Sequence, residues 1–356
     1  MRTNSLKILI ILCALFLLSG CWDTKDINHR SLPIVMGVAM EDDQYKVHLQ
    51  IPDPSPTTMK VRIVSETGET VSKAVDKLSA NLESSINLLH VKVIVIDKEL
   101  AKKGVKDLIS GFMRSRDVSP KALVVISDEE IEPFFSNLKN TTEPQSTTLF
   151  DFFDKNAGWN PEIALTRVWQ VYRSIHSYTR DVALPIIKSG DSTIIEHLGS
   201  AVIKKGKMVE QINTEETLLV NAFYEESTYG KVEVMDEATV MIVKNSMDHK
   251  SQVIDQVPYL NSKLHLKVVL LETKGNPTVK EIRTSLETLL TNRFNEMFTK
   301  IQESEADILG VGQYFRTQIP KEKLKKWRST QYPNLRIDIE VHTVIQNEGQ
   351  LKLMTD

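Results

Sequence analysis

The first twenty-odd residues set the terms for the rest of this chain. Arg2 and Lys7 give a short positive start, and Ile8-Leu9-Ile10-Ile11-Leu12-Cys13-Ala14-Leu15-Phe16-Leu17-Leu18 is an unbroken apolar run. A bilayer-spanning helix needs about 20 apolar residues, and this run is shorter. Its size is that of the apolar region of a secretion signal. It ends in Leu18-Ser19-Gly20-Cys21. Small residues ahead of the cysteine let an extended chain enter a peptidase, and the thiol supplies the sulfur for a thioether to diacylglycerol. The expectation is cleavage between Gly20 and Cys21, followed by diacylglyceryl and N-acyl modification of Cys21. The alternative is an uncleaved anchor helix, but Trp22-Asp23-Thr24-Lys25-Asp26 follows at once and keeps the apolar stretch short. A single acyl chain gives only marginal membrane attachment, whereas two on one residue hold stably. The body is therefore expected to be lipid-anchored at the outer face of the cytoplasmic membrane.

That body has to fold without sulfur chemistry. The chain has 2 cysteines; Cys13 lies in the segment to be removed and Cys21 is the acylation site, so neither a disulfide nor a thiolate metal site is expected. A chain of 356 residues can bury a core large enough to do without them. The formal charge is −3, and loss of Arg2 and Lys7 makes it more negative. This excludes nucleic acid as a natural partner, since such partners call for a basic face. It also leaves the lipid, not charge, to make the membrane contact.

The length suggests more than one domain, and the pattern of elements is mixed α/β. Segments 34–40 and 45–51 flank Glu41-Asp42-Asp43-Gln44 as a hairpin. Val71, Val75, Leu78 and Leu82 recur at helical spacing, Val91 to Ile96 is a buried strand, and a helix is expected from about Asp97 to Phe112. Ala122 to Ile126 is a second buried strand, and this strand–helix–strand order suggests a crossover unit. Asn137 to Thr148 is polar and expected to be an exposed loop; Trp159 to Tyr178 is expected to be helical, and Val182 to Lys188 a closing strand. Beyond Ser189-Gly190-Asp191-Ser192 come a second hairpin around Lys204-Lys205-Gly206, a helix capped by Thr214, and strands near 239–243 and 264–271. The clearest helix spans 278–305, with an apolar stripe that includes Ile282, Leu286, Leu290, Phe294, Met297 and Ile301. Such a stripe serves either the chain's own sheet or a partner's groove. Residues 335–345 alternate as a strand. The resulting expectation is an α+β, multi-domain protein with mixed sheets flanked by helices, in which a tether over 21–31 leads into three domains: an N-terminal one over 32–190, a small middle one over 191–256 and a C-terminal one over 257–356.

Patterns that carry catalysis are missing. There is no G-x-S-x-G elbow, no H-E-x-x-H helix and no phosphate-cradling G-x-x-x-x-G-K-[ST] loop. The histidines are scattered, and adjacent acids such as Asp42-Asp43 and Glu215-Glu216 point in different directions in solvated turns. No catalytic residue, cofactor site or metal site is expected. Asp307-Ile308-Leu309-Gly310-Val311-Gly312 does stand out. It fits a helix exit into a tight turn, in which Gly310 and Gly312 adopt positive φ or permit close backbone approach; a ligand loop is the competing reading.

These residues also carry a resemblance. Gly20-Cys21-Trp22-Asp23 with Asp26-Ile27-Asn28, Gly199 to Lys204 with Glu216-Thr217, and Asp307 to Gly312 with Pro320, Trp327 and Tyr332-Pro333, in this order, resemble the Ger(x)C family of spore germination lipoproteins. Val311 stands where many members have an aromatic residue, and Lys323 near where another tryptophan is usual. The resemblance implies a three-domain mixed α/β body tethered in the spore inner membrane, the C subunit of a nutrient germinant receptor. It also implies work beside two integral-membrane partners, an A-type subunit and a transporter-like B-type subunit, without catalysis. Trp22, Asp23, Asp307, Gly310, Gly312 and Trp327 are the family-motif residues. Asp307 to Gly312 and Trp327 are candidates for an interface, with burial in the core as the other reading of Trp327. A solute-binding lipoprotein of a transporter and a lipid-anchored envelope enzyme are the competing functions.

Overall fold

The computed structural model describes residues 30–54, 59–140, 148–156, 160–226 and 228–347. Gly20, Cys21, Trp22 and Asp23 lie outside them. Among the described residues, no helix is long and apolar enough to cross a membrane.

A short β1 (Arg30–Ser31) leads into the hairpin of β2 (Val35–Glu41) and β3 (Gln44–Pro54). Asp42 and Asp43 both take positive φ at its turn, the geometry that matches strand twist in a two-residue loop and that Asp tolerates better than most residues. β4 (Met59–Gly68) pairs with β3, α1 (Val71–Asn81) follows, and β5 (Ser85–Ile86) pairs with β1. Then come β6 (Val93–Asp97), α2 (Lys98–Lys103), α3 (Lys106–Ser115), β7 (Leu123–Ser127), α4 (Ile131–Asn140), α5 (Thr148–Asn156), α6 (Val168–His176), β8 (Val182–Ser189), β9 (Ile195–Lys204) and β10 (Lys207–Ile212). They build an 8-stranded sheet in the order β10-β9-β8-β7-β6-β2-β3-β4, with β2, β6, β7 and β8 parallel. The parallel strands read as continuous apolar runs because both faces are covered. Met36, Val38, Ile94, Ile96, Val124 and Ile126 face one core with the first three helices and α6. Val35, Val93, Val95, Val125 and Ile187 face the other with Phe134, Phe135 and Phe153.

The chain continues through α7 (Thr214–Phe223), β11 (Val232–Val234), β12 (Ala238–Ile254), β13 (Val257–Thr273), α8 (Val279–Glu303), a short α9 (Lys321–Leu324) and β14 (Arg336–Asn347). β11 to β14 form a 4-stranded sheet in sequence order. β12 and β13 are a 17-residue hairpin pair, and β14 joins β13 in parallel after the crossover through α8. Ile282, Leu286, Leu290, Phe294, Met297 and Ile301 are buried against the chain's own sheet, including Ile339 and Val341 of β14. The same core takes in Ala183 and Val202 of the larger sheet and Leu219, Val220 and Phe223 of α7.

The expected α+β arrangement of mixed sheets flanked by helices is present, and several element bounds need correction. The single helix expected over 97–112 is two, because Gly104 turns out with φ 128° and the Val105 N–H donates to the Gly206 carbonyl at 2.7 Å instead of continuing the helix. The polar loop expected over 137–148 is helical at both ends: α4 runs to Asn140 on its buried Phe134–Phe135–Leu138 face, and α5 starts at Thr148. The helix expected from Trp159 begins only at Val168; before it, the Thr166 carbonyl accepts from Val124 N–H at 2.9 Å and the Thr166 hydroxyl donates to the Ala183 carbonyl at 2.8 Å. That segment's polar groups are thus bound to the sheet. The cap of α7 is Asn213, not Thr214; its side chain accepts from Glu216 N–H. The division expected at 190–191 falls at the turn between β8 and β9, neighbours in one sheet. The one expected at 256–257 falls at the tip of the β12–β13 hairpin, where Asp255 and Gln256 take positive φ.

Candidate functional site

The turn after α8 is where the motif residues meet. Ser304 and Glu305 end the helix, and Asp307 follows with its side chain wholly buried. Asp307 Oδ1 accepts from Val311 N–H at 2.7 Å, and Oδ2 accepts from Gly312 N–H at 2.9 Å and from the Trp327 indole Nε1–H at 2.9 Å. One carboxylate thereby closes the turn on itself and fastens it to the π-helical turn Trp327–Gln331. Trp327 is fully buried, stacked on Phe315 with ring centroids 5.5 Å apart.

The two glycines do different work. Gly310 has φ 62°, in the left-handed region that side chains with a Cβ disfavour. Gly312 has no such φ; a Cβ there would lie 2.7 Å from Thr179 Cβ and 2.7 Å from Trp327 Cε2. Its role is close approach between the turn, the indole and the segment ahead of β8. Val311 is fully buried at the same turn, while Lys323 lies on the exposed side of α9.

That segment ahead of β8 supplies the other half of the site. Asp181 is fully buried. Its backbone N–H donates to the Asp307 carbonyl at 2.8 Å, and its Oδ2 accepts from Asp307 N–H at 3.0 Å. Arg328 grips it with a two-point fork, Nε to Oδ2 at 2.7 Å and Nη2 to Oδ1 at 2.8 Å. The remaining guanidinium donors reach the carbonyls of Ser177, Tyr178 and Arg180 at 3.0, 2.8 and 2.9 Å. Arginine is suited to this because its planar fork matches a carboxylate and its outer N–H groups remain free for carbonyls. The Asp181 Oδ1 also accepts from Lys205 N–H at 3.1 Å. Tyr224 donates from its hydroxyl to the Ile308 carbonyl at 2.6 Å, and Gln313 hydrogen-bonds Thr179.

Burial pushes the Asp307 carboxyl up to about 7; the three N–H donors and the nearby Asp181 charge act on it in opposite directions. A buried carboxyl titrating there is often a proton-transfer group. Here both oxygens are occupied by donors and the residue is out of reach of solvent, so the arrangement acts as a clasp. It ties the α8 exit and the 327–331 turn to the start of β8. Among the described residues, no group of His, Cys, Asp and Glu is placed to hold a metal ion. The sequence marks Asp307, Gly310, Gly312 and Trp327, and the structure gathers them in one place. It does not mark Asp181, Arg328 or Arg180. The only available signals were an acid directly ahead of an apolar strand and an arginine next to Trp327.

Two family models match the chain in tandem: the spore germination protein N-terminal domain over residues 23–189, and the spore germination B3/GerAC-like C-terminal domain over residues 198–349. Spore germination protein KC of Bacillus subtilis (strain 168) is 20% identical over 98% of this chain and 97% of its own length. Spore germination protein A3 of the same organism is 22% identical over 97% of this chain and 98% of its own. The crystal structure of the GerBC protein superposes with a TM-score of 0.59 at 15% identity, covering 88% of this chain and 97% of that one, a likeness of fold. With tandem models over almost its whole length, relatives aligned end to end and the clasp built from the residues that carry the resemblance, the chain belongs to the Ger(x)C family of spore germination proteins.

Proposed function

We propose that this chain is the lipid-anchored C subunit of a spore nutrient germinant receptor. It serves as a scaffold or coupling subunit beside integral-membrane A-type and transporter-like B-type subunits and performs no catalysis of its own. The single observation that carries this reading is the tandem match of both family regions. The Leu18-Ser19-Gly20-Cys21 sequence supports acylation of Cys21 and a position on the outer face of the cytoplasmic membrane, which in the dormant spore is the inner membrane. A tether of this kind confines the body to a thin layer and raises its effective concentration near membrane partners. The clasp supports a scaffold role, because it joins elements of both family regions through buried, fully engaged charges.

The anchor is tested by fractionating spores that express wild type or Cys21→Ala and weighing the N-terminal peptide of the mature protein. The reading expects a diacylated Cys21 peptide in the inner-membrane fraction for wild type. For the variant it expects loss from that fraction and a weakened nutrient response. An unmodified Cys21 in a membrane-bound wild type, or a variant that stays on the membrane with a full response, would contradict it.

A further inference from the structure

Beside the clasp lies a cleft of about 460 Å³ between the 160–167 segment, α7 and the turn after α8. Its walls carry Arg167, Arg173 and Arg180. On the far side of Arg173 and Arg180 a second hollow, of about 770 Å³, adds Arg316 and Lys321. A chain with a net negative charge therefore concentrates cations at one place. Two arginines close to carboxylates do pair with them, Arg293 with Glu233 and Arg328 with Asp181. Among the described residues, no carboxylate forms an ion pair with Arg167, Arg173 or Arg180. Glu226 lines the first cleft and is exposed at its rim.

Arg180 is held as a binding group is held. Its carbonyl accepts from Arg328 at 2.9 Å, and its guanidinium lies over the Tyr224 ring at 5.6 Å. A Cβ at position 310 would sit 2.8 Å from Arg180 Nε and 3.1 Å from the Tyr224 hydroxyl. The bare backbone of the motif glycine therefore makes room for this side chain. Arg180 Nε is nevertheless buried with no acceptor. Arg173 stacks on Trp169 at 4.9 Å and is held below its usual pKa by partial burial and by Arg180. Asp181 also lines the cleft but is taken up by Arg328, so among the described residues the neighbouring Arg173 and Arg180 have no carboxylate of their own, a like-charge arrangement that an anion would relieve.

We infer that the Arg167–Arg173–Arg180 cleft binds a small organic anion, a carboxylate or phosphate compound gripped by the guanidinium forks of Arg173 and Arg180. The oxyanion would pair with the outer guanidinium nitrogens of Arg173 and Arg180, which no carboxylate engages among the described residues. The volume lies within the roughly 300–1,000 Å³ range of small-molecule sites. The clasp sets the position of Arg180 through Arg328 and Gly310, so occupancy of the cleft bears directly on the seam between the two family regions.

The full chain in detergent is titrated with inorganic phosphate and, separately, with succinate. Ionic strength is held constant with sodium chloride, and binding is followed by calorimetry and by the fluorescence of Trp169 beneath Arg173. The expected result is saturable binding of at least one probe. The tighter probe assigns the phosphate or the carboxylate class. Arg180→Gln and Arg173→Gln should each weaken binding by about tenfold or more, whereas Arg283→Gln on the exposed side of α8 should leave it unchanged. Arg173 is exposed, so its variant is expected to fold, and melting curves without anion check both. Failure of both probes to saturate below roughly 10 mM, or binding that survives the Arg173→Gln/Arg180→Gln double substitution, would overturn the inference.

Discussion

Asp307 shows how much a single side chain can hold together. Its carboxylate accepts from two backbone N–H groups of its own turn and from an indole of another, and burial raises its titration from 3.8 to about 7. A carboxyl raised in the folded state stabilises the fold most when it is protonated. Its contribution is complete below its unfolded value near 4 and is lost as pH rises through about 7. Asp307→Asn does not titrate. The stability advantage of wild type over this variant, measured by urea unfolding at a series of pH values, should therefore shrink between pH 4 and 7 by on the order of 3 to 4 kcal/mol. An advantage that stays flat, or grows with pH, would contradict the burial argument. At this scale the sequence tells half the story. Asp307, Gly310, Gly312 and Trp327 stand out by type and spacing, but Asp181 reaches Asp307 across 126 positions and Arg328 reaches Asp181 across 147. Spacing says nothing about contacts of that range, and an arginine beside a tryptophan looks like any surface cation.

Among the elements, those with one dominant force were legible in sequence. Val93 to Ile96 and Leu123 to Ile126 are buried on both faces, so their composition alone marks them as interior strands. The stripe of α8 and its Thr278–Glu281 capping box announce that helix from end to end. The misread bounds lie where tertiary hydrogen bonds override local pattern: at Gly104, where Val105 turns to Gly206, and over 160–167, where Thr166 bonds to both neighbouring strands. The outer half of the β12–β13 hairpin was missed because its residues from Asp248 to Ser262 are largely polar and partly exposed. The clasp also acts at this scale, since it fixes the 177–181 segment to the 327–331 turn. Arg328→Leu leaves Asp181 charged, buried and unpaired, and Asp181→Leu does the same to Arg328; each should cost about 3 to 5 kcal/mol in urea unfolding. The double substitution removes both charges and should cost well below the sum of the two. It should still fall short of wild type, because Lys205 and Asp307 N–H groups lose their acceptor. Strict additivity would show that the pair is not the coupled unit described.

For the whole molecule, the two family regions meet at 189–198, yet the larger sheet continues through β9 and β10 past that point. The core around α7 and α8 takes in Ala183 and Val202. The clasp adds a polar tie across the same seam, and the arginine cleft opens beside it. The cleft and the clasp therefore both lie where the two family regions meet. In the proposed role this body works beside two integral-membrane subunits. The most direct test is to solubilise spore inner membranes in mild detergent, capture the tagged chain and identify the co-purifying proteins by mass spectrometry. The receptor-subunit account predicts that A-type and transporter-like B-type subunits are recovered together with the wild-type chain, and far less of them with Cys21→Ala. A lipidated chain that is abundant in vegetative membranes and brings down neither subunit would contradict it and favour a solute-binding lipoprotein.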